Sequence, residues 1–513
     1  MGTALRLVDL LGGLSRLADL GFGIPAGEAE RAAALSALLS RSLGLSDDDT
    51  RAAIYTALLH HVGCTGYAHE AAQTVPDERA MYAVTARTNL ADPKDLLRTF
   101  LPELTRGHPP LERLRIVLAM VSQGRRIGVE STTAACEVGR DAARRLGLPA
   151  EVQASIYRSY EWWNGDGVPD GMAGDDLPRG ARIAAVASTA TLLDTTAGPD
   201  RVVEVVTDGA GVLFDPQVAE VLLADAERLL DEVTTGDPHE VILDAEPAPV
   251  VTVLDPHLVD VATVFADLAD LKSPYTHGHS REVARLARRA GEELGLDRQD
   301  LDTLEIAGLL HDVGRVAISS RIWDKPGRLS THEWEEVRLH AYHSARILAG
   351  STRLAAFAEV AGAHHERCDG SGYHRGCDRG DLPVTACILA AADSYQAMTQ
   401  PRPHRPALTA DQAEAELLDG VRASCLDATA AGAVLAAAGH DARVRRELPA
   451  GLTDREAEVL ALVASGLSNR EIGQELVISR RTAEHHVQHI YTKIGCSSRA
   501  AAALFAMEHD LLG

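Results

Sequence analysis

The chain of 513 residues is too long for a single hydrophobic core, so its length predicts two to four domains. Hydrophobic residues make up 46% of the chain and aromatic residues only 4%, which excludes a largely disordered protein and favours helix over sheet. The formal charge of −24 excludes a protein that coats nucleic acid non-specifically, so any DNA contact must come from a local basic surface.

The N-terminal residues predict neither secretion nor a membrane anchor. They contain Asp9 and Asp19, and they lack the long apolar run that a signal peptide requires. No stretch approaches the ~20 apolar residues of a membrane helix. The 7 cysteines are odd in number and form no CxxC pair, which indicates reduced thiols. We therefore expect a cytoplasmic protein without membrane contact.

Two parts of the chain repeat each other. The run EWWNGDGVPDGMAGDDLP from Glu161 matches ERCDGSGYHRGCDRGDLP from Glu366 in its glycines and its Asp-Leu-Pro. Upstream, ALLHHVG ending at Gly63 matches GLLHDVG ending at Gly314. Two modules of one fold are therefore predicted, at residues 1–240 and 257–440, with linkers at 241–256 and 441–449 and a last domain at 450–513.

Both modules are predicted to be helical, which makes the protein all-α. Apolar residues recur at three- and four-residue steps in Ser280–Leu294 and in Asp302–Leu310. The glycine-rich stretch Asp369–Gly380 is predicted to be a loop, because so many glycines weaken a helix.

The second module contains a set of potential metal ligands. They are His279, His311, Asp312, His340, His364, His365 and Asp393. Imidazole nitrogens and carboxylate oxygens suit Fe, Mn or Zn, and so many ligands require two ions. The adjacent His311 and Asp312 cannot share a helical face, but near a helix end they can reach neighbouring positions around a metal pair. Such a centre activates water and stabilises charge on a phosphoryl group.

The order H…HD…H…HH…D, with the runs DLKSPYTHGHS, LLHDVGR, DKPGRLS, HHERCDGSGY and AADSY, resembles the HD phosphohydrolase superfamily and its HD-GYP subgroup over Asp255–Gly439. The resemblance implies a helical domain that hydrolyses cyclic di-GMP, or a related cyclic dinucleotide or phosphodiester, at a di- or tri-metal centre. It makes the seven residues metal ligands. The expected cofactors are two divalent ions, Fe or Mn, with Zn as the alternative.

Three positions depart from the HD-GYP pattern. Arg315 replaces the usual lysine; with Asp312 it is the expected phosphate contact, because a guanidinium still binds phosphate with two prongs. The GYP motif is Gly372-Tyr373-His374, which puts specificity for cyclic di-GMP in question. Tyr275 stands where trimetal members have glutamate, which favours two metals. The loop residues expected to meet substrate are Asp369, Gly370, Gly372 and Tyr373.

The first module lacks most of these ligands. His60-His61 replaces His-Asp, Ser159-Tyr160 replaces the double histidine, Ser188 replaces Asp393 and Glu28 falls opposite His279. This pattern predicts a degenerate HD module without a two-metal site. Two interpretations stay open. The module is either a sensor, dimerisation or regulatory unit, or a purely structural partner of the second module.

The last 60 or so residues predict four short helices, of which the third is the recognition helix. Thr453 with Glu456, and Ser468 with Glu471, form capping boxes, Gly466 ends the first helix, and Ser479 caps the third. The third helix buries Ala483, Val487, Ile490 and Ile494. The fourth helix is expected over Ser497–Leu512.

The segments L-T-x-R-E-x-E-V-L, S-N-R-E-I and S-x-R-T-x-E-x-H-V resemble the LuxR-type helix-turn-helix. The resemblance implies binding to promoter DNA as a homodimer, with Glu484, His485 and Gln488 facing the bases. The predicted DNA contacts are Ser468, Asn469, Arg480, Arg481, Thr482, Glu484, His485, Gln488 and Lys493.

Three functions are compatible with this sequence. The chain is a regulator in which cyclic dinucleotide hydrolysis or binding controls promoter binding, a transcription factor whose HD modules bind metal and ligand without turnover, or an enzyme that its DNA-binding tail places on a promoter.

Overall fold

The structure, a computed structural model, describes residues 4–75, 77–107, 109–254, 257–439, 449–509 and 511–512. The chain divides into two compact units, Met1–Asp255 and Pro256–Gly513. Helices dominate both units, which confirms the predicted all-α class. Among the described residues, no helix combines the length and apolar composition that crossing a bilayer requires.

The first unit contains fourteen α-helices among its described residues and one small sheet. The helices are α1 Leu7–Phe22, α2 Glu28–Ser42, α3 Asp47–Leu58, α4 Ala68–Ala72, α5 Glu78–Arg87, α6 Pro93–Asp95, α7 Leu101–Leu104, α8 Pro110–Arg145, α9 Ala150–Tyr157, α10 Arg179–Ala197, α11 Pro199–Gly209, α12 Pro216–Ala224, α13 Ala226–Thr235 and α14 Pro238–Ala245. Strands β1 Ala4–Arg6 and β2 Thr252–Leu254 pair antiparallel. The predicted linker 241–256 thus contains the end of α14 and β2 in the structure.

The second unit holds the helices that carry the ligand-rich positions, followed by four C-terminal helices. They are α15 Leu258–Asp270, α16 His279–Glu293, α17 Arg298–Leu310, α18 Ser320–Trp323, α19 Thr331–Leu348, α20 Ala355–Gly362, α21 Val384–Thr399, α22 Ala410–Arg422, α23 Ala428–Ala437, α24 Asp454–Ala464, α25 Asn469–Glu475, α26 Arg480–Ile494 and α27 Arg499–Glu508. The helices predicted over Ser280–Leu294 and Asp302–Leu310 are confirmed as α16 and α17, and Asp369–Gly380 contains no helix, as predicted.

Close backbone contacts recur at matching glycines of the two units. A Cβ on Gly63 would lie 2.0 Å from the carbonyl oxygen of Ala135, and a Cβ on Gly314 would lie 2.1 Å from the carbonyl oxygen of His340. No side chain fits at either position, which explains both glycines. The match supports a common fold for the two modules and places Ala135 at the position of His340.

The sequence signals for the ends of the first three C-terminal helices are confirmed. Both capping boxes form, at Thr453 and at Ser468. Gly466 adopts a left-handed conformation with φ 82°, and Ser479 accepts a hydrogen bond from the backbone of Thr482. The fourth helix is shorter than predicted at both ends: it begins after Ser498, whose side chain caps it, and it ends at Glu508. The predicted linker 441–449 lies outside the described residues except for its last residue.

Candidate metal centre and nucleic-acid interface

The seven predicted ligands converge in the second unit. Most of them stand at helix ends: His279 opens α16 after Gly278, whose φ is 75°, His311 and Asp312 follow α17, and a double histidine follows α20. The other two project from α19 and α21. The full set is His279, His311, Asp312, His340, His364, His365 and Asp393. Helix ends bring these side chains together from distant parts of the sequence.

In one cluster, His279 and His311 lie close to the carboxylates of Asp312 and Asp393. Nε2 of His279 lies 3.2 Å from Oδ1 of Asp393 and 3.7 Å from Oδ2 of Asp312. Nε2 of His311 lies 3.5 Å from the same Asp312 oxygen and 3.7 Å from Oδ1 of Asp393. Three of these groups, His279, His311 and Asp312, hold their ligand atoms within 4.8 Å of one another. They can therefore share one ion.

A second cluster adjoins the other oxygen of Asp312. Oδ1 of Asp312 lies 3.3 Å from Nε2 of His340 and 3.6 Å from Nε2 of His364. His365 completes this group with His340 and His364, and its Nδ1 lies 3.9 Å from Oδ2 of Asp393. Asp312 is thus common to both clusters, one oxygen to each.

Backbone carbonyls orient three of the imidazoles. Nδ1 of His311 lies 2.7 Å from the carbonyl oxygen of Gly308, and Nδ1 of His364 lies 2.6 Å from that of Ala361. His340 makes the same contact with the residue three positions before it. When such a ring is neutral and its hydrogen is on Nδ1, its Nε2 carries the lone pair that a metal ion requires.

Burial and mutual charge set the protonation of the cluster. Burial lowers the pKa of His279 to about 4. Burial also opposes protonation of His311, but the charges of Asp312 and Asp393 outweigh it and raise its pKa to about 9. Burial favours the neutral form of Asp312, yet His311 and Arg315 hold its pKa well below the usual range. Burial also opposes ionisation of Asp393, yet hydrogen bonds with His279 and His311 hold its pKa well below the usual range, so both carboxylates are ionised.

The donor set fits a divalent metal. Nε2 of His311 is buried and has no hydrogen-bond partner among the described residues. A buried polar atom without a partner is costly, and a cation would satisfy it. The mixture of imidazole nitrogen and carboxylate oxygen matches borderline divalent ions. The residues present are thus suited to metal binding.

The exposed face of α26 carries most of the predicted DNA contacts. Ala483, Val487 and Ile490 are buried, while Glu484, His485 and Gln488 are exposed. The remaining predicted contacts that are exposed on or before this helix are Ser468, Arg480, Arg481, Thr482 and Lys493. A helix with one buried stripe and hydrogen-bonding groups opposite can enter a major groove.

Two of the predicted DNA contacts are engaged inside the protein. Nζ of Lys493 lies 2.7 Å from Oε2 of Glu456 and donates to the carbonyl oxygen of Gly451. The side-chain oxygen of Asn469 accepts a hydrogen bond from Arg499 at 3.0 Å. Their roles at DNA stay predictions.

Comparison with protein-family models matches two regions of the chain. Residues 263–429 match the HD domain, and residues 450–506 match the luxR family of bacterial regulatory proteins. The chain therefore contains an HD domain and a LuxR-family domain, which confirms both predicted resemblances. The predicted phosphohydrolase is confirmed by the relatives described next.

Relatives of the HD domain are cyclic dinucleotide phosphodiesterases. The chain is 28% identical over 410 residues to a 3′3′-cGAMP-specific phosphodiesterase of Vibrio cholerae, which covers 79% of this chain and 89% of the relative. It is 36% identical over 167 residues to a cyclic di-GMP phosphodiesterase of Thermotoga maritima, which covers 32% of this chain and 45% of the relative. A crystal structure of a cyclic GMP-AMP-specific phosphodiesterase from Vibrio cholerae superposes with a TM-score of 0.58 at 25% identity, covering 85% of this chain and 98% of that one.

A cavity of about 680 Å³ opens in front of the HD-domain ligands. Its wall contains His279, Asp312, His340, His365 and Asp393. The cationic side chains in the wall are Arg315, Lys325, Arg328, Arg402 and Arg405. A cavity whose wall contains both ligand atoms and several cations suits a substrate with more than one phosphate.

Sequence reasoning missed Arg402 and Arg405. Burial lowers the pKa of Arg402 to about 10, and the charge of Arg315 adds to this effect. Its guanidinium donates to the carbonyl oxygen of Tyr275 at 2.9 Å. The signal in the sequence is the dense run PRPHRP, in which prolines and cations alternate beside the end of α21.

Of the four predicted substrate-loop residues, only Tyr373 lines this cavity. Its ring lies 4.8 Å from that of His365 and 6.4 Å from that of Trp334. Asp369 instead accepts hydrogen bonds from Ser371, and the backbone of Gly370 turns with φ 77°. A Cβ on Gly372 would lie 2.4 Å from the backbone nitrogen of Arg367. The glycines therefore shape the loop that positions Tyr373.

Aromatic packing occupies the matching region of the first unit. The ring of Phe22 stacks on His61 at 3.9 Å and on Tyr82 at 5.4 Å. Nδ1 of His61 lies 3.0 Å from the hydroxyl oxygen of Tyr160. No group of three potential ligands occurs among the described residues of this unit. The degenerate module stays a prediction.

Proposed function

We propose that the chain is a transcriptional regulator whose HD domain hydrolyses a cyclic dinucleotide and couples this activity to promoter binding. The observation that carries the proposal is the position of Asp312, one oxygen of which faces each histidine cluster. Relatives with matching HD domains are phosphodiesterases of 3′3′-cGAMP and of cyclic di-GMP.

Two divalent ions, Fe or Mn, complete the site in this proposal, with Zn as the alternative. Two clusters that share one carboxylate support the number two. When bound, such ions supply Lewis-acid chemistry at phosphorus. His279, His311 and Asp393 would hold one ion, His340, His364 and His365 would hold the other, and Asp312 would serve both.

The remaining residues bind and orient the substrate. Nη1 of Arg315 lies 2.9 Å from Oδ2 of Asp312, and its guanidinium lies 3.9 Å from the ring centre of Trp323. This stacking holds the cation beside the ligands, where it meets a phosphate oxygen. Arg402 lines the same cavity. Tyr373 and Trp334 offer ring faces on which a purine base can stack.

A hydrolysis assay on the full chain tests this proposal. Protein loaded with Mn²⁺ or Fe²⁺ is incubated separately with cyclic di-GMP and with 3′3′-cGAMP, and the linear product is quantified. We expect cleavage of at least one of the two, lost in His311→Ala. The matched control is His332→Gln, because His332 is an exposed histidine of α19 that pairs with Glu336. Metal-loaded protein that cleaves neither substrate favours the inactive-sensor alternative.

The LuxR-family domain binds promoter DNA through α26 in this proposal. The exposed Glu484, His485 and Gln488 face base edges, and Arg480 and Arg481 contact phosphates. Selection from a random duplex library with the full chain tests it. We expect an enriched common sequence, and recovery of none contradicts specific DNA binding.

Coupling between the two domains has a physical contact in the second unit. A Cβ on Gly278 would lie 3.3 Å from Cδ1 of Leu512, and Gly278 directly precedes the ligand His279. The start of α16 therefore contacts the chain just beyond α27. We expect cyclic dinucleotide to change the affinity for selected DNA at least threefold, and Leu512→Ala to remove the change. An identical response in the variant rejects this contact as the route.

A homodimer is also part of the proposal. The first turns of α8 expose a stripe of large apolar side chains, Leu111, Leu114, Leu118 and Val121, which are 55–78% exposed. Their three- and four-residue steps are those of a coiled-coil seam, so a second copy of α8 is the partner that fits. Light scattering of wild type and of the Leu114→Lys, Leu118→Lys double variant tests it. We expect wild type to have the mass of a dimer and the double variant that of a monomer. Equal masses for the two proteins would contradict this contact.

A further inference from the structure

The first unit contains a second cavity, of about 590 Å³, beside the region that lacks metal ligands. Its wall is mainly apolar and includes Phe22, Met81, Tyr82, Phe100, Met120 and Ile127. This volume is within the range of sites for small molecules, and an apolar wall with few polar groups is typical of them.

A few buried polar atoms in this region have no partner. Tyr82 is only 7% exposed, and its hydroxyl has no hydrogen-bond partner among the described residues. A smaller adjoining cavity of about 150 Å³ shares Phe22 and Tyr160 with the first. It is lined by Ser159 and Ser188, whose hydroxyls also have no partner within the described part of the chain. Such atoms are costly unless a bound molecule or water satisfies them.

The wall contains one residue of each charge, Arg125 and Asp166, and the carboxylate of Asp166 accepts a hydrogen bond from Asn164 at 2.8 Å. Arg125 is the cation of the large cavity, and it is exposed and forms no ion pair with any described residue. By contrast, the HD-domain cavity contains Arg402, Arg405 and further cations. One free guanidinium complements one carboxylate, whereas a cyclic dinucleotide carries two charges.

We propose that the first unit binds an apolar monocarboxylic acid in this cavity. Its hydrocarbon or ring lies among Phe22, Phe100 and Met120, its carboxylate pairs with Arg125, and the hydroxyl of Tyr82 donates to it or to a second polar group. The first unit then senses a metabolite of a different chemical class from the substrate of the second.

Calorimetric titration of the full chain with sodium decanoate tests the proposal, and 1-decanol serves as the uncharged partner of equal length. We expect decanoate to bind once per chain, and Arg125→Gln to weaken its binding at least tenfold without changing the binding of decanol. The matched control is Arg126→Gln on the next position of α8, whose side chain contacts Gln123 and Glu130.

A cavity-filling variant locates the ligand. Gly128 lines the cavity, and a Cβ on it would meet no atom within 4 Å, so Gly128→Leu fits the helix and occupies the space. We expect this variant to retain its helical circular dichroism and to lose decanoate binding. The proposal is overturned by absence of saturable binding, by binding that Gly128→Leu leaves intact, or by equal affinity for decanoate in wild type and Arg125→Gln.

Discussion

Oδ1 of Asp312 lies 3.3 Å from Nε2 of His340, although 28 residues separate Asp312 from His340 in the sequence. The other oxygen of Asp312 faces His279 and His311. A single carboxylate therefore links two histidine groups, and the predictions on metal and activity depend on this link.

Removing the charge of Asp312 tests the link. We expect Asp312→Asn to lose at least one bound metal ion per chain and to reduce hydrolysis by about a thousandfold, because a neutral amide is a poor ligand for two cations at once. Metal analysis and product formation on one preparation measure both effects. His332→Gln serves as the control, and full metal content in Asp312→Asn would contradict the bridging role.

Arg402 is expected to bind substrate. Hydrogen bonds to charged groups contribute about 1.5–3 kcal/mol, so Arg402→Gln should raise KM for the cyclic dinucleotide by about tenfold or more while leaving the metal content unchanged. Steady-state kinetics with metal analysis measures this. Arg422→Gln is the matched control, because Arg422 is an exposed arginine that pairs with Asp419. An unchanged KM would remove Arg402 from substrate binding.

Variants of α26 should distinguish the residues that read bases from those that contact phosphates. His485→Ala and Gln488→Ala are each expected to cost about 1–3 kcal/mol of discrimination on selected DNA. Arg480→Gln should weaken binding to selected and random duplexes alike. It should also reduce the magnitude of the slope of log affinity against log salt concentration by about one. Fluorescence anisotropy at several salt concentrations distinguishes the two patterns. Gln474→Ala, an exposed glutamine of α25, is the control, and a uniform loss in every variant argues against base reading.

The first unit should lose stability in mild acid. Burial lowers the pKa of His60 to about 4, while an unfolded histidine titrates near ~6.5. The unfolded chain takes up a proton in this window and the folded chain does not. The stability from neutral His60 is therefore complete above about pH 6.5 and is lost as the pH falls to 4, by about 3 kcal/mol.

Thermal unfolding at pH 7.5 and pH 5.0, followed by circular dichroism, measures this loss. We expect His60→Gln to show a smaller drop in melting temperature than wild type. His69→Gln, at a histidine of the same unit that contacts Gln73, should behave as wild type. Equal drops in all three proteins would exclude His60 as the cause.

Local sequence signals predicted the elements well. Serine or threonine followed three residues later by glutamate is a self-contained signal, and the capping boxes at Thr453 and Ser468 form as expected. Gly466 likewise turns where only a residue tolerant of positive φ fits. The ligand positions were predictable because a characteristic order of histidines and aspartates marks them.

What the sequence did not reveal depends on contacts between distant segments. Arg402 reaches the HD-domain cavity only because the chain folds back after α21, and no spacing rule indicates this. Ala135 takes the position of His340, but the long α8 separates it from any recognisable motif. The stacking of Phe22 on His61 joins the end of α1 to the turn that follows α3, so only the folded chain shows what occupies the former ligand region.

The most direct test of the account is to measure metal and cleavage on the same full-length preparation. The protein is loaded anaerobically with Fe²⁺ or Mn²⁺, its metal content per chain is determined by mass spectrometry, and linear product from cyclic di-GMP and 3′3′-cGAMP is quantified. The account predicts two ions per chain and product formation that rises with metal loading. Protein that binds no divalent metal, or that carries two ions and releases no product from either substrate, would contradict it.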